Sequence, residues 1–355
     1  MKFFGTQNLL FLISFFSFNT FSSSIEYYDF PVFQRFLQWC FEHKVNVEQN
    51  DPDLYDSIIY KNWLKNDVYI NYVNSQNLSY KLGHNIFSAL SREDFLKLNK
   101  FDNVDDNIDT GFKGIRKYYA DIIDSEYLAP SIDWRSYGFV SPIQDQGQCG
   151  SCWAFSATSA IESAVAIKTG TLTKMSEQQL VDCDNFKHGG SSFGCNGGLM
   201  EDAFSWVGKN NGLCSSKNYP YVSGLTKKAG NCNLSCENVP QSDVLSYKSL
   251  LQNDDAFMSA LNFQTISIAI QADQLDFQLY KSGVFTGNCG TNLNHGVVLV
   301  GYGNEEETGL DYYILRNSWG TSWGEEGYMY IGKGSQYNNG QGQCGVLLEG
   351  SYPVV

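Results

Sequence analysis

The chain has 355 residues, 43% of them hydrophobic and 17% charged, a globular composition long enough for more than one compact unit. A formal net charge of −14 and a pI near 4.7 argue against nucleic acid or an anionic membrane as partner. Such an acidic surface suits solubility among other proteins, and it loses charge in an acidic compartment.

Residues 1–24 read as a secretory signal. Lys2 supplies the positive start, Leu9–Phe18 is apolar apart from serines, and small residues follow at Ser22–Ser24. The run is too short to cross a bilayer core of roughly 30 Å. The mature chain is therefore expected to be soluble, to use the secretory route, and to end in a lysosome or endosome or outside the cell. Residues 25–127 form a second block. Phe33, Phe36, Leu37 and Cys40, then Ile59, Trp63, Asn66, Ile70 and Val73, recur at helical spacing and predict helix from Pro31 to about Asn74. Asp102, Asp105, Asp106 and Asp109, followed by Gly111 and Gly114, read as an exposed linker open to cutting. Asn77-Leu78-Ser79 and Asn233-Leu234-Ser235 are acceptor triplets for N-glycans.

Residues 128–355 change character. A helix is predicted from Ser151 to about Lys168, with Ala154, Ala157, Ile161, Ala164 and Val165 on its apolar face and Gly170 as its stop. Thr265–Ile270, Val297–Tyr302, Tyr312–Arg316 and Tyr328–Ile331 read as strands. Helices first and strands later suggest an α+β fold of two subdomains with a cleft between them. Nine of the ten cysteines lie after residue 148, and an odd count in an oxidising compartment leaves one thiol over for pairing elsewhere or for chemistry.

The chemistry concentrates in Gln146-Gly147-Gln148-Cys149-Gly150-Ser151-Cys152-Trp153. Cys152 falls at the predicted helix N-terminus, where free N–H groups and the macrodipole favour a thiolate. A cysteine nucleophile needs a histidine partner. Of the two histidines in this block, His188 lies in a glycine-rich loop and reads as solvated, while His295 leads into an apolar strand that would hold it rigidly. Asn317, in Arg316-Asn317-Ser318-Trp319-Gly320, is the candidate acceptor that orients the imidazole, with Trp319 shielding that bond. The side-chain amide of Gln146 and the backbone N–H of Cys152 are the candidate oxyanion donors. Three other readings remain open at this point. Cys149-Gly150-Ser151-Cys152 is also a C-x-x-C redox pair, Cys232 and Cys236 offer a close couple for structural zinc, and a binding protein without activity can share the same fold.

Cys149-Gly150-Ser151-Cys152-Trp153 matches the local signature of papain and cathepsin nucleophiles. Together with Ser131-Ile132-Asp133-Trp134-Arg135, Ser176–Cys183, Gly194–Gly198, Asn218-Tyr219-Pro220-Tyr221 and Asn317-Ser318-Trp319-Gly320, it makes residues 128–355 resemble the papain family, and more narrowly the cathepsin L-like cysteine proteases. The resemblance implies a papain-like fold with a helical left half and a β-barrel-like right half. It implies endopeptidase activity through Cys152, His295, Asn317 and Gln146, without cofactor or metal. Residues 25–127 would be an inhibitory propeptide. Expected partners are protein and peptide substrates, the chain's own propeptide and cystatin-like inhibitors, with the enzyme a monomer. Implied disulfides join Cys149 to Cys195 and Cys289 to Cys344; Cys183 is left to one of Cys232 and Cys236, with Cys232 the first choice, and Cys214 to the other.

The same resemblance places Gly197, Gly198 and Trp319 along the substrate cleft. It puts Leu199, Met200, Ala269 and Leu293 around the pocket for the second residue before the cut, an apolar pocket with Glu349 at its floor that would admit Arg as well. The propeptide departs from the family pattern in its charges. Trp63, Asn66, Ile70 and Asn74 keep the interspersed helical motif and Gly83, Asn85 and Phe87 the second motif, but Tyr55, Ile59 and Ala89 stand where Glu, Arg and an acid are usual. Those departures remove the charges on which acid-triggered release usually rests, while the apolar pattern that fills the cleft is kept.

Overall fold

The computed structural model describes residues 30–48, 53–96, 117–122 and 125–355. The signal reading at 1–24 and the acidic linker reading at 102–109 lie outside the described residues.

The first block folds back on itself where one continuous helix was predicted. α1 spans Phe30–Glu42 and α2 spans Ile58–Asn74, with a 3-10 turn at Leu54–Asp56 between them. Lys44 takes a left-handed φ of 55°, which the end of α1 tolerates and a helix interior does not. Ser57 then starts α2 by accepting the Tyr60 N–H on its hydroxyl at 3.2 Å. Both helices carry the same apolar spacing, so periodicity alone joined them. They pack through Phe33, Phe36 and Trp39 against Tyr60 and Trp63, with the Phe36 and Trp63 rings 5.5 Å apart. The strand β1, Tyr80–Leu82, and the short helix α3, Arg92–Leu96, follow.

The remainder divides into two cores. In one, α4 (Cys152–Thr169) packs with α5 (Glu177–Cys183) and α6 (Met200–Lys209) around Trp153, Ile161, Leu180, Phe204 and Trp206. The predicted one-sided face of α4 proves to be enclosed, since every residue from Cys152 to Ala166 is buried. Small side chains let neighbours approach from all directions. The one acid among them, Glu162, accepts Ser141 Oγ at 2.5 Å and the Met175 N–H at 2.7 Å and pairs with Lys174 at 2.9 Å. Lys174 also meets Glu177, so that no charge is buried alone. Gly170 closes α4 at φ 74°, its N–H returning to Ala166 O at 2.8 Å.

The other core is built on a ten-stranded open sheet. Its additional strands are β2 (Lys117–Tyr119), β3 (Ile132–Asp133), β4 (Ser246–Ser249), β5 (Ile266–Ile270), β6 (Tyr280–Phe285), β7 (His295–Glu305), β8 (Leu310–Arg316), β9 (Tyr328–Gly332) and β10 (Gly350–Val354). The order is β1-β6-β9-β8-β7-β5-β10-β4-β2, with β3 paired separately to β7. Gly301 makes that last pairing possible, because a Cβ there would stand 2.0 Å from Ile132 O. β7 runs further in both directions than the apolar run predicted, since His295 at its start already pairs with Ile270 of β5. The first block joins this sheet: β1 adds to the edge at β6 in antiparallel register, Tyr80 opposite Gly283. The helices α7 (Ser223–Thr226), α8 (Asp254–Leu261) and α9 (Leu275–Gln278) complete the elements used below.

Candidate active site

The N-terminus of α4 and the start of β7 meet where the two cores touch. A Cβ on Gly296 would lie 3.3 Å from Trp153 Cα and 3.2 Å from Met200 Sδ, so the absence of a side chain there lets the strand close on the helix. The Gly296 N–H consequently reaches the Cys152 sulfur, so Cys152 and His295 stand at adjoining element starts, each with no solvent exposure.

His295 Nε2 and Asn317 Oδ1 lie 2.8 Å apart, and the carbonyl oxygen of Asn317 also accepts the Ser318 N–H at 2.8 Å. An amide oxygen can only accept, so Nε2 carries the hydrogen and Nδ1 is the free base nitrogen. That Nδ1 is buried without a partner. Trp319 stacks over the imidazole at 4.6 Å and 27°, keeping water from the Asn–His bond. Burial pushes the Cys152 thiol up to about 11, against the pull of the Gly296, Trp153 and Cys152 N–H groups. Burial likewise holds the His295 imidazolium down at about 4, although its bond to Asn317 raises it. Burial thus works against the thiolate and imidazolium expected of an exposed helix N-terminus.

Gln146 is held on three sides. Its N–H donates to Ser318 O at 2.8 Å, its Oε1 accepts Ser318 Oγ at 2.7 Å, and its Nε2 donates one hydrogen to Cys149 O at 3.0 Å. As the first residue of α4, Cys152 has an N–H without an intrahelical acceptor. Tyr221, quoted as part of a motif but given no role, donates to Gln146 O at 2.8 Å and contacts Ser151 Oγ at 2.8 Å, tying the amide loop to the helix start. Nothing in the local sequence distinguishes that hydroxyl from any other.

Met200 and Ala269 are buried in the helical core, and Leu199 and Leu293 pack half-buried against it. Gly197 takes a φ of 117°, and a Cβ on Gly198 would stand 2.7 Å from Trp153 Cδ2, so the backbone at Gly198 passes bare over the indole. Glu349 has an exposed side chain, while its carbonyl accepts the Ala269 N–H at 3.2 Å. His188 is half-buried, where solvation was expected: its Nδ1 lies 3.0 Å from Asn185 Oδ1 and its carbonyl accepts Trp206 Nε1.

Disulfides join Cys149 to Cys195, Cys183 to Cys232, Cys214 to Cys236 and Cys289 to Cys344, and the free thiols are Cys40 and Cys152. With Cys149 bonded elsewhere, the C-x-x-C has no dithiol to cycle. Among the described residues no three His, Cys, Asp or Glu side chains gather as metal ligands, and no helix is long and apolar enough to cross a membrane.

The first block packs against Trp319 and α9 beside this site. Phe87 and Phe95 pack edge-on against Trp319 at 5.3 and 5.4 Å, and Asn85 Nδ2 donates to Gln278 O at 2.8 Å. Asp276 of α9 accepts the hydroxyls of both Tyr69 and Tyr80, each at 2.5 Å.

The chain is similar to known proteases over most of its length. Germination-specific cysteine protease 1 of Arabidopsis thaliana is 40% identical over 324 residues, covering 90% of this chain and 83% of that protein. The recombinant stem bromelain precursor superposes with a TM-score of 0.78 at 32% identity, over 92% of this chain and 99% of its own. Digestive procathepsin L 3 of the Tenebrio molitor larval midgut does so at 0.74 and 31%, over 91% and 99%. Both of these structures are proforms, with the leading segment on the protease domain. The sequence profile described as papain family cysteine protease matches residues 128–354, and the chain belongs to that family.

Proposed function

We propose that the protein is a zymogen in which residues 1–24 are a signal, residues 25–127 an inhibitory propeptide and residues 128–355 the endopeptidase. The Cys152 thiolate attacks the scissile carbonyl carbon, and the oxyanion that forms is met by the Gln146 amide and the Cys152 N–H. The imidazolium of His295 gives its proton from Nδ1 to the departing amine, leaving a thioester on Cys152. Water, deprotonated by the same nitrogen, then releases the acid and restores the thiolate. The observation that carries this reading is the His295–Asn317 bond, which leaves a buried, unpartnered Nδ1 beside the α4 N-terminus. Titration of the acid-matured protein with an epoxide that alkylates cleft thiolates, followed by peptide mapping, tests it. Label on Cys152 with loss of hydrolysis is expected, and label on Cys149 would contradict it.

Leu199, Met200, Ala269 and Leu293 support an apolar preference at the second residue before the cut. Glu349, whose backbone lies beside Ala269, would extend it to Arg. Glu349→Ala is expected to lower cleavage of Arg-containing relative to Leu-containing peptides about fivefold, the scale of one partly exposed ion pair; a flat ratio would remove Glu349 from the pocket. Asn77 and Asn233, both exposed, are the proposed glycan acceptors of a chain on the secretory route.

The charges missing from the usual propeptide positions have a counterpart elsewhere. Asp67 takes Arg35 at 2.8 Å and His84 Nε2 at 3.1 Å, and the His84 ring lies flat on Trp63 at 4.3 Å and 8°. His84 Nδ1 is buried without a partner, so protonation would place an N–H where nothing accepts it. Burial, with help from Arg35 and His43, holds this imidazole below its ordinary 6.5 against the pull of Asp67. A histidine lowered in the folded state contributes stability that is complete above its unfolded value and is lost as the pH falls below it. Acidification below about pH 6.5 is therefore expected to loosen the propeptide. His84→Phe, which keeps the stack and cannot titrate, should shift the onset of activity to lower pH, read as peptide hydrolysis after incubation across a pH series.

A further inference from the structure

The loop from Tyr221 to Lys227 has no role in the scheme above, yet it is fastened to the site. Besides the Tyr221 bond to Gln146 O, its Gly224 carbonyl accepts the Gln148 N–H at 3.0 Å. Gly147, at φ +58°, and Gly224 touch so closely that a Cβ on Gly147 would stand 2.8 Å from Gly224 Cα. The oxyanion loop and this loop thus form one rigid wall. From its rim α7 projects Leu225, 89% exposed and therefore contributing nothing to the core, followed by exposed Lys227 at φ 61° and by Lys228. In a chain of net charge −14, two adjacent lysines beside the cleft are a local reversal of sign.

This wall borders a groove of about 680 Å³ whose floor reaches Trp319. Trp319 covers the face of His295, and His295 delivers the proton to the departing amine. A groove that opens at Trp319 is where the residues after the cut must lie. Its opposite wall is the leading segment, which sets Leu90 and Asp94, one helical turn apart in sequence, into the same groove as Leu225 and Lys227. The segment that covers the site thus brings an apolar side chain and an acid to a wall carrying an apolar side chain and a base. Asp145, also in the groove, is engaged with the Gly147 N–H at 2.8 Å, which reduces its call on Lys227.

We infer that Leu225 and Lys227 select the departing half of the substrate, favouring an apolar residue followed by an acidic one. The inference rests on the endopeptidase reading and adds to it a preference on the far side of the cut. The test uses matured enzyme and internally quenched peptides that share one half before the cut. They differ after it, with Leu or Ala at the second residue and Glu or Lys at the third. The parent should prefer Leu to Ala and Glu to Lys in kcat/KM. Leu225→Ser should reduce the first preference about fivefold, as for loss of a partly exposed apolar contact. Lys227→Glu should invert the second by about tenfold at low ionic strength, and the effect should fade in high salt.

Preferences that stay flat in both variants would overturn the inference, as would a parent with the opposite charge preference. A coumarin amide substrate, which places no residues in this groove, separates the two levels. If the parent hydrolyses it while the peptide ratios are flat, the selectivity wall is wrong and the peptidase stands. If the parent hydrolyses neither, both fall.

Discussion

Full-length protein carrying Cys152→Ala will fold, remain uncut in acid, and hydrolyse peptides slower than the parent by a factor on the order of 10⁵ or more, the scale of removing a covalent nucleophile. Cys152 is buried at the start of α4, and alanine removes one sulfur from a helix already rich in small residues, so folding should survive. The failure to mature has a separate cause from the failure to hydrolyse substrate only if another protease cuts the linker. Adding matured parent in trace amount distinguishes them: the variant should then be trimmed to the mature length and stay inactive. Activity in the trimmed variant would transfer the nucleophile elsewhere and undo the proposed mechanism. Burial pushes the thiol up to about 11 and the imidazole down to about 4, so it opposes the ion pair that attacks the carbonyl.

Asp276→Ala should open the zymogen about 100-fold more readily than the parent. The carboxylate accepts two tyrosine hydroxyls from the leading segment, and each bond to a charged group is worth roughly 1.5–3 kcal/mol net. Loss of about 3 kcal/mol corresponds to about 100-fold in the closed-to-open ratio. Burial and the neighbouring carboxylate raise both tyrosines well above their ordinary value, so they stay protonated donors throughout the working range. The measurement is the rate at which activity appears in full-length protein at mildly acidic pH. Tyr69→Phe with Tyr80→Phe should accelerate it comparably, and adding Asp276→Ala to that pair should change little more, as expected for members of one contact. An Asp276→Ala rate equal to the parent's would mean that the edge pairing of β1 on β6 and the Phe87–Trp319 packing hold the segment without this clamp.

The selectivity and the latch proposed above occupy the same surface. Phe87 and Phe95 close on Trp319, Leu90 and Asp94 lie in the groove with Leu225 and Lys227, and the two tyrosines grip α9 behind them. A substrate that enters after maturation replaces contacts already rehearsed by the chain's own leading segment, in the same groove and with the same charge pattern.

What was legible in linear order was whatever depends on near neighbours. Cys152 ahead of interspersed alanines announces a helix start with a thiol on it, although Ser151 makes no side-chain cap, and Gly170 announces its end, because such signals act within a few residues. The Asn317-Ser318-Trp319-Gly320 run pointed to the same site for the same reason, and the odd cysteine count did so by parity over the whole block. The single helix drawn through residues 31–74 failed because the turn between α1 and α2 leaves the apolar spacing intact on both sides. Other features had no local signal at all. Asp276 lies 207 residues from Tyr69 and 196 from Tyr80, and the Leu225 wall faces an N-terminal segment more than a hundred residues away. The burial that opposes charge on Cys152 and His295 likewise has no local signal, since desolvation is a property of everything that surrounds a group. Residue types and spacing pointed to the chemistry the chain carries; only the tertiary structure decided what lies over Trp319, through contacts between the leading segment and the sheet that no stretch of sequence contains.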